Sequence, residues 1–470
     1  MSSPAPRNFD LNIEKILEGW EVRHAIREVI ANALDEQVLS RTQDVSIAKD
    51  ASGSWHIRDY GRGLRYEYLT QNENPEKLKN AGKVIGKFGV GLKDALATLN
   101  RRKVGVLIRS AHCDISLIEA EKHGFADVLT LQAVVSDPGN PHMTGTDFEF
   151  QGVSSAQMEA AKDFFLRFSG ERVLDETSYG QILEKSKGQP ARVYVTGLLV
   201  AEEERFAFSY NITSLTAAMR RALNRERTNV GRTAYTDRVK AMLLASQSEQ
   251  VARLLAADLA NMGAGTQHDE VVWTEVAVHA CQILNARKKV LFVTAEELGT
   301  ARDAIDHARK DGYEVIAIPG NVRHALVGLK DLQGNPVRDL SVFQTEWSNS
   351  FEFEFVASDN LTAAERRIFD CWSQVAELVG GLPARVKEVK ISETMRPEFD
   401  TGRECQGLWE PDKRRIIIKR SELANIQSFA GTLLHEITHA KSGFPDVSRE
   451  FETALTEVIG VLSRACLGQK

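Results

Sequence analysis

The sequence predicts a multidomain α+β protein, and three observations carry that expectation. A chain of 470 residues is longer than one hydrophobic core serves, because domains stop growing at about 250–300 residues. Apolar runs with helical spacing are interspersed throughout with short strand-like runs bounded by turn residues. A strand at 289–294, a helix near 296–310 and a second strand at 314–319 outline a small βαβ unit with a nearly parallel pair.

The elements divide into four stretches. Over 1–153, a helix at 11–39 places Val22, Ile26, Val29, Ile30, Ala33 and Leu34 at helical spacing. Strands at 45–48, 55–59, 104–110, 115–120, 129–135 and 146–151 complete an α/β sandwich with one layer of each. Over 154–262, strands at 192–200 and 206–210, a helix at 214–224 and a long helix at 234–260 form a second α/β domain. The βαβ unit occupies 263–345 and has no glycine fingerprint, so no nucleotide is assigned to it. The last stretch, 346–470, holds a helix at 361–379, strands at 385–391 and 414–419, and two closing helices. It reads as mostly helical with a small sheet.

Composition narrows the function classes. Hydrophobic residues make up 43% and charged residues 26%, with a formal net charge of −6. That is an ordinary globular balance, neither disordered nor a polyanion-binding chain as a whole. No apolar run approaches the roughly 20 residues that cross a bilayer. The opening MSSPAPRNFD lacks the order of a signal peptide, so a cytoplasmic protein without a membrane partner is expected. The five cysteines, at 113, 281, 371, 405 and 466, form no CxxC pair. That argues against a disulfide scaffold and against a cysteine-built zinc site.

The first chemistry-bearing constellation lies in the opening domain. Glu28, Asn32 and Asp35 are spaced four and three apart, which keeps them on one helix face. There Glu28 can orient and deprotonate a water, and the Asn32 amide oxygen can ligate a phosphate-bound Mg²⁺. Asp59 ends a strand, where a carboxylate can accept from an adenine amine, and Gly61 and Gly63 allow close backbone approach. Gly86, Lys87, Gly89, Gly91 and Lys93 then open an apolar helix, presenting bare N–H groups and the positive helix end to phosphates. In this order, the segments EVIANALDE, IRDYGRGL and GKFGVGLKDAL resemble the N, G1 and G2 boxes of the GHKL ATPases. That superfamily includes gyrase, the heat-shock chaperones, histidine kinases, and the MutL and MORC proteins. Gly145-Thr146 matches its fourth element.

The resemblance implies Glu28 as general base, Asn32 as Mg²⁺ ligand and Asp59 as adenine reader supported by Thr146. It implies ATP as cofactor, hydrolysis rather than kinase activity, and ATP-dependent homodimerisation. The 154–262 stretch resembles the transducer domain that follows such ATPase domains. Within it, Ala222-Leu223-Asn224-Arg225-Glu226-Arg227 is similar to a segment whose arginine reaches the γ-phosphate, which implies that role for Arg225 or Arg227. The competing readings are a solvated basic face with Arg220, Arg221 and Arg232, and a less favoured nucleic-acid contact.

The second constellation is His435-Glu436-Ile437-Thr438-His439, on a helix ending at Gly443. Histidines at i and i+4 bind one Zn²⁺, and Glu436 between them serves as general base. Catalytic zinc takes a third protein ligand. Among Glu450, Glu452 and Glu457 on the next helix, Glu452 lies nearest the border of the apolar face. No histidine follows His439, which excludes a three-histidine metzincin pattern. The arrangement resembles the gluzincins, and the strand at 415–419 stands where zincin proteases keep the edge strand that pairs with substrate.

Together these readings give an ATPase whose nucleotide cycle governs a zinc metalloendopeptidase acting on a protein or peptide, suited to conditional stress response or antiphage defence. The alternative is an ATP-operated dimerising clamp or chaperone for protein or nucleic acid, whose terminal domain is a scaffold.

Overall fold

The computed structural model describes residues 7–11, 18–70, 75–80, 84–86, 91–122, 125–223, 230–261, 267–396 and 405–468. The chain is a mixed α/β protein with several separate sheets, and it falls into two compact units, Met1–Leu284 and Asn285–Lys470.

The first unit opens with a seven-stranded antiparallel sheet. Its spatial order is Arg7–Asp10, Phe125–Ser136, Asp114–Lys122, Gly105–Ser110, Thr146–Gln151, Trp55–Arg58, Ser46–Lys49. Alternation decides which way the side chains point. Ile57, Phe148, Phe150, Val106 and Ile108 are buried beneath the helices Val22–Ser40, Gly91–Arg101 and Ser155–Lys162. The other face carries polar residues: His56 Nδ1 lies 3.0 Å from Asp147 Oδ2 and Arg109 lies 2.6 Å from Glu149. The Val22–Ser40 helix contributes Ala25, Ile26, Val29, Ile30 and Ala33 to the core and stops at Arg41 in the left-handed region.

Farther along, a five-stranded sheet is ordered Leu198–Glu203, Ala191–Val195, Phe208–Ile212, Gly180–Glu184, Val173–Thr177. The expected single strand at 192–200 is a hairpin, because Thr196 and Gly197 both take positive φ (47° and 84°) and reverse the chain. The expected long helix at 234–260 is two helices, Thr236–Ala245 and Glu249–Ala260. The Ser248 hydroxyl caps the second of these from Val251 N–H.

In the second unit, Val290–Val293 pairs in parallel with Glu314–Ala317, joined through the helices Ala295–Thr300 and Arg302–Lys310. A four-stranded sheet follows, ordered Phe355–Val356, Glu388–Ser392, Arg415–Lys419, Gly407–Glu410. The strand Arg415–Lys419 is therefore interior and not at the edge; three consecutive isoleucines, fully buried, hold it there. The helix Ile426–Ser442 packs on this sheet through Phe429, Leu433, Ile437 and Ala440. It ends at Gly443, whose φ is 73°. The closing helix is Arg449–Cys466. No helix among the described residues is long and apolar enough to cross a membrane.

The polar face of the first sheet makes a pH-dependent contribution to stability. Burial pulls the His56 pKa down, but its bonds to Asp147 and Asp50 outweigh this and raise it overall. A raised histidine pKa adds stability that is complete below the unfolded value, about 6.5, and fades as pH climbs through the folded value. Urea unfolding should therefore find His56→Gln destabilised relative to the native chain at about pH 5.5, with the gap narrowing towards about pH 8.5.

Candidate functional sites

Two sets of the sequence-predicted residues converge, one in each unit. In the first, the Val22–Ser40 helix places Glu28, Asn32 and Asp35 on one face. Glu28 is buried and held by its neighbour: Arg27 Nε and Nη2 donate to Glu28 Oε1 at 3.1 and 2.9 Å. The Arg27 guanidinium in turn lies over the Trp20 and Phe164 rings, 5.3 Å from each centroid. The second oxygen of Glu28 faces Gly91, the first residue of the Gly91–Arg101 helix, where an added Cβ would stand 2.6 Å from Glu28 Oε2. A carboxylate thus sits against a helix N-terminus that opens towards it.

Asp35 is 1% exposed. Its carboxylate accepts from Ile85 N–H at 2.6 Å, Gly86 N–H at 2.8 Å and Lys77 Nζ at 2.7 Å. Asn32 Oδ1 accepts from the same ammonium at 2.8 Å. Lys77 was not singled out from sequence, where it is one of several lysines in a polar stretch.

Asp59 follows the strand Trp55–Arg58, and its Oδ1 accepts from Gly61 N–H at 2.9 Å and Thr146 N–H at 3.3 Å. The Thr146 hydroxyl oxygen accepts from Leu64 N–H at 3.0 Å. Gly63 has φ of 83° and Gly145 of 78°. A side chain at Gly145 would overlap the Asp59 carbonyl, so only glycine lets these two loops touch. Burial pushes the Asp59 carboxyl up, Gly61 and Thr146 N–H pull it down, and Glu36 adds to the rise. The two halves of the site meet where Arg62 N–H and Nε donate to Glu36 Oε1, at 3.0 and 2.9 Å, one residue beyond Asp35. Lys93 lies half-buried in the first turn of the Gly91–Arg101 helix. Lys87, Gly89, Arg225 and Arg227 lie outside the described residues.

In the second unit, His435 and His439 are one turn apart on the Ile426–Ser442 helix, with their Nε2 atoms 3.1 Å apart. The group that joins them is Asp446: its Oδ1 lies 3.0 Å from His435 Nε2 and 3.1 Å from His439 Nε2. Among the described residues these three form the one group of such side chains close enough to share a metal. Glu452, expected as third ligand, is exposed in the first turn of the next helix and is not part of the group. The reason is chain geometry. The left-handed Gly443 ends the helix, and the short Phe444–Asp446 turn then doubles back over the imidazoles before the last helix begins. A carboxylate a few residues beyond a glycine helix stop was the available sequence signal.

The donor set suits a tetrahedral cation. Ligands about 2.0–2.1 Å from zinc lie about 3.3 Å apart, close to the observed edges. His439 Nδ1 donates to the Phe444 carbonyl at 2.8 Å, which leaves the lone pair of a neutral ring on Nε2, facing Asp446. Phe451 stacks on His439 with centroids 4.1 Å apart and meets His435 edge-on at 4.9 Å. Both rings are thereby held in place from the last helix.

Glu436 is buried beside this cluster and receives the Trp409 N–H. Burial pushes its carboxyl up to about 8; the Trp409 bond pulls it down and Asp446 pushes it up. A dication alongside would favour the ionised form. The edge strand Gly407–Glu410 crosses directly over this group. An added Cβ at Gly407 would stand 2.6 Å from Thr432 Cγ2 and 2.8 Å from Glu436 Cγ. Lys419 N–H donates to Gln406 at 2.9 Å, and Leu408 pairs with Ile417. By alternation, the backbone groups of Gly407 and Trp409 turn away from the neighbouring strand, and the Trp409 N–H is the one that Glu436 accepts.

Comparison with known proteins finds similarity to proteins of Mycoplasma pneumoniae. A family model described as the Mycoplasma pneumoniae MPN635 N-terminal domain matches residues 156–249, the stretch that contains the five-stranded sheet. Three proteins of that organism, each described as an uncharacterized protein, are similar. One is 36% identical over 244 residues, covering 51% of this chain and 98% of that protein. A second is 24% identical over 349 residues, covering 69% and 96%, and a third 29% identical over 180 residues, covering 37% and 92%. With that identity across nearly the full length of the first relative, this chain belongs to the family of that Mycoplasma pneumoniae protein.

Proposed function

We propose that the chain is a zinc metalloendopeptidase governed by ATP. The observation that carries the reading is the meeting of His435, His439 and Asp446 within 3.1 Å of one another, with buried Glu436 beside them, next to the edge strand Gly407–Glu410. This donor set is of the kind that holds a catalytic zinc, which takes three protein ligands and a water. A zinc ion there would polarise a scissile carbonyl and acidify a water. Glu436 would take a proton from the attacking water and pass it to the leaving amine. The Gly407 backbone and the Trp409 carbonyl, which point away from the neighbouring strand, align an extended peptide by adding it to the sheet edge.

The nucleotide reading rests on the first unit. Asp59 and Thr146 receive the adenine, and Glu28, fixed by Arg27, activates the attacking water. Asn32 would hold Mg²⁺, which would neutralise phosphate charge. Gly86, Lys87, Gly89, Gly91 and Lys93 belong to the glycine-rich motif that would hold the phosphates. A nucleotide cycle of this type makes cleavage conditional, through ATP-dependent pairing of two copies in the cytoplasm, which suits stress response or defence.

Three outcomes are expected. Metal analysis of the purified chain gives one zinc, and Asp446→Ala weakens zinc binding by more than the roughly 10–100-fold seen for outer-shell changes, whereas Glu452→Ala leaves it unchanged. Equal effects of the two variants would contradict the ligand assignment. Glu436→Gln retains zinc but loses peptide cleavage by about 10²–10⁴-fold; undiminished cleavage would remove Glu436 from the mechanism. Glu28→Gln still binds ATP while hydrolysis falls by about 10²–10⁴-fold, and a hydrolysis rate equal to the native one would exclude Glu28 as the base.

A further inference from the structure

Lys77 occupies a position that the proposed nucleotide chemistry does not account for. Its ammonium lies 2.8 Å from Asn32 Oδ1 and 2.7 Å from Asp35 Oδ2, and only 14% of its side chain is exposed. Asn32 Oδ1 is the oxygen assigned to Mg²⁺. An ammonium at hydrogen-bond distance from that oxygen occupies one of its two acceptor positions, and in a poorly hydrated pocket it repels any second cation strongly. The contact is also supported from outside. Lys77 belongs to the short helix Pro75–Lys79, and Arg62 links that helix to the Val22–Ser40 helix by pairing with both Glu76 and Glu36 at 2.9 Å.

We infer that Lys77 is a tethered cation competing with Mg²⁺ for Asn32, so that metal–nucleotide binding requires the ammonium to leave and the Pro75–Lys79 helix to shift with it. Two features make the exchange feasible. Asp35 keeps the Ile85 and Gly86 N–H donors, at 2.6 and 2.8 Å, when the ammonium departs. The triphosphate that arrives with the metal supplies new acceptors for a lysine on a flexible four-carbon stem. Bare nucleotide and bare Mg²⁺ would each fail to complete the exchange: one brings no replacement for the charge beside Asp35, the other no acceptor for Lys77. The strap is thus released by the metal–nucleotide complex as a unit. The inference rests on the nucleotide-site reading and concerns how that site is regulated.

The test is equilibrium binding of a fluorescent, non-hydrolysable ATP analogue to the full-length chain, titrated with Mg²⁺. Native chain, Lys77→Met, Lys77→Gln, Lys77→Arg and Asp59→Asn would be compared. The expected result is that Lys77→Met and Lys77→Gln lower the Mg²⁺ concentration for half-maximal binding by about tenfold, the scale of one charge-assisted hydrogen bond. Lys77→Arg, which keeps the charge, stays near native. Lys77→Gln retains hydrogen bonding to Asp35 and serves as the second variant should Lys77→Met not fold. A native chain that binds the analogue, with a Mg²⁺ requirement unchanged or raised in the neutral variants, overturns the competition while leaving the nucleotide site standing. A native chain that does not bind the analogue, or binding indifferent to Asp59→Asn, removes the nucleotide site itself and the inference with it.

Discussion

Asp35 is a carboxylate sealed inside the first unit, and a buried carboxylate is tolerated only where donors surround it. Three groups meet that demand: Ile85 N–H, Gly86 N–H and Lys77 Nζ. Through these bonds the chain segment before the glycine-rich motif is drawn against the helix that carries Glu28 and Asn32. The next residue, Glu36, does the same for the Asp59–Gly63 turn by accepting from Arg62. One helical turn of acidic residues thus gathers loops that are far apart in sequence around a single face. The apolar side of the same helix is spent on the core, which leaves its polar side rigid.

Much of this was legible because helical periodicity is a strict rule. Spacings of four and three put Glu28, Asn32 and Asp35 on one face, and a spacing of four did the same for His435 and His439. What escaped the sequence is what tertiary approach decides. Asp446 follows a glycine helix stop and folds back, a reversal that brings its carboxylate within 3.1 Å of both imidazoles, while Glu452 of the next helix stays outside the group. Lys77 is chosen by the burial of Asp35, which a one-dimensional pattern does not show. At 192–200 an apolar run concealed a reversal at Thr196-Gly197, and at 415–419 three isoleucines marked an interior strand rather than an edge. In each of these places the apolar signal was real, but the partner elements set its meaning.

The two candidate sites use a common device. Each has a short-range pair on one helix and a residue supplied from elsewhere in the chain: Asn32 and Asp35 with Lys77 of the short helix Pro75–Lys79, and the two histidines with Asp446. Each also has glycine where backbone must pass close to a carboxylate, Gly91 at Glu28 and Gly407 at Glu436. Helices set the angles of the paired side chains, and segments from elsewhere in the chain complete each group. The segment matched by the Mycoplasma family model, 156–249, lies between these two sites in the sequence, where an element that transmits a nucleotide signal would be expected.

The most direct test of the account is the rate of peptide-bond cleavage by the full-length zinc-loaded chain, measured in a cell lysate with and without Mg²⁺ and ATP. The account predicts fragments that accumulate with ATP and do not accumulate without it. Cleavage at the same rate in both conditions would break the link between the two sites, and a zinc-loaded chain that cuts no protein under either would leave an ATP-operated clamp in place of a peptidase.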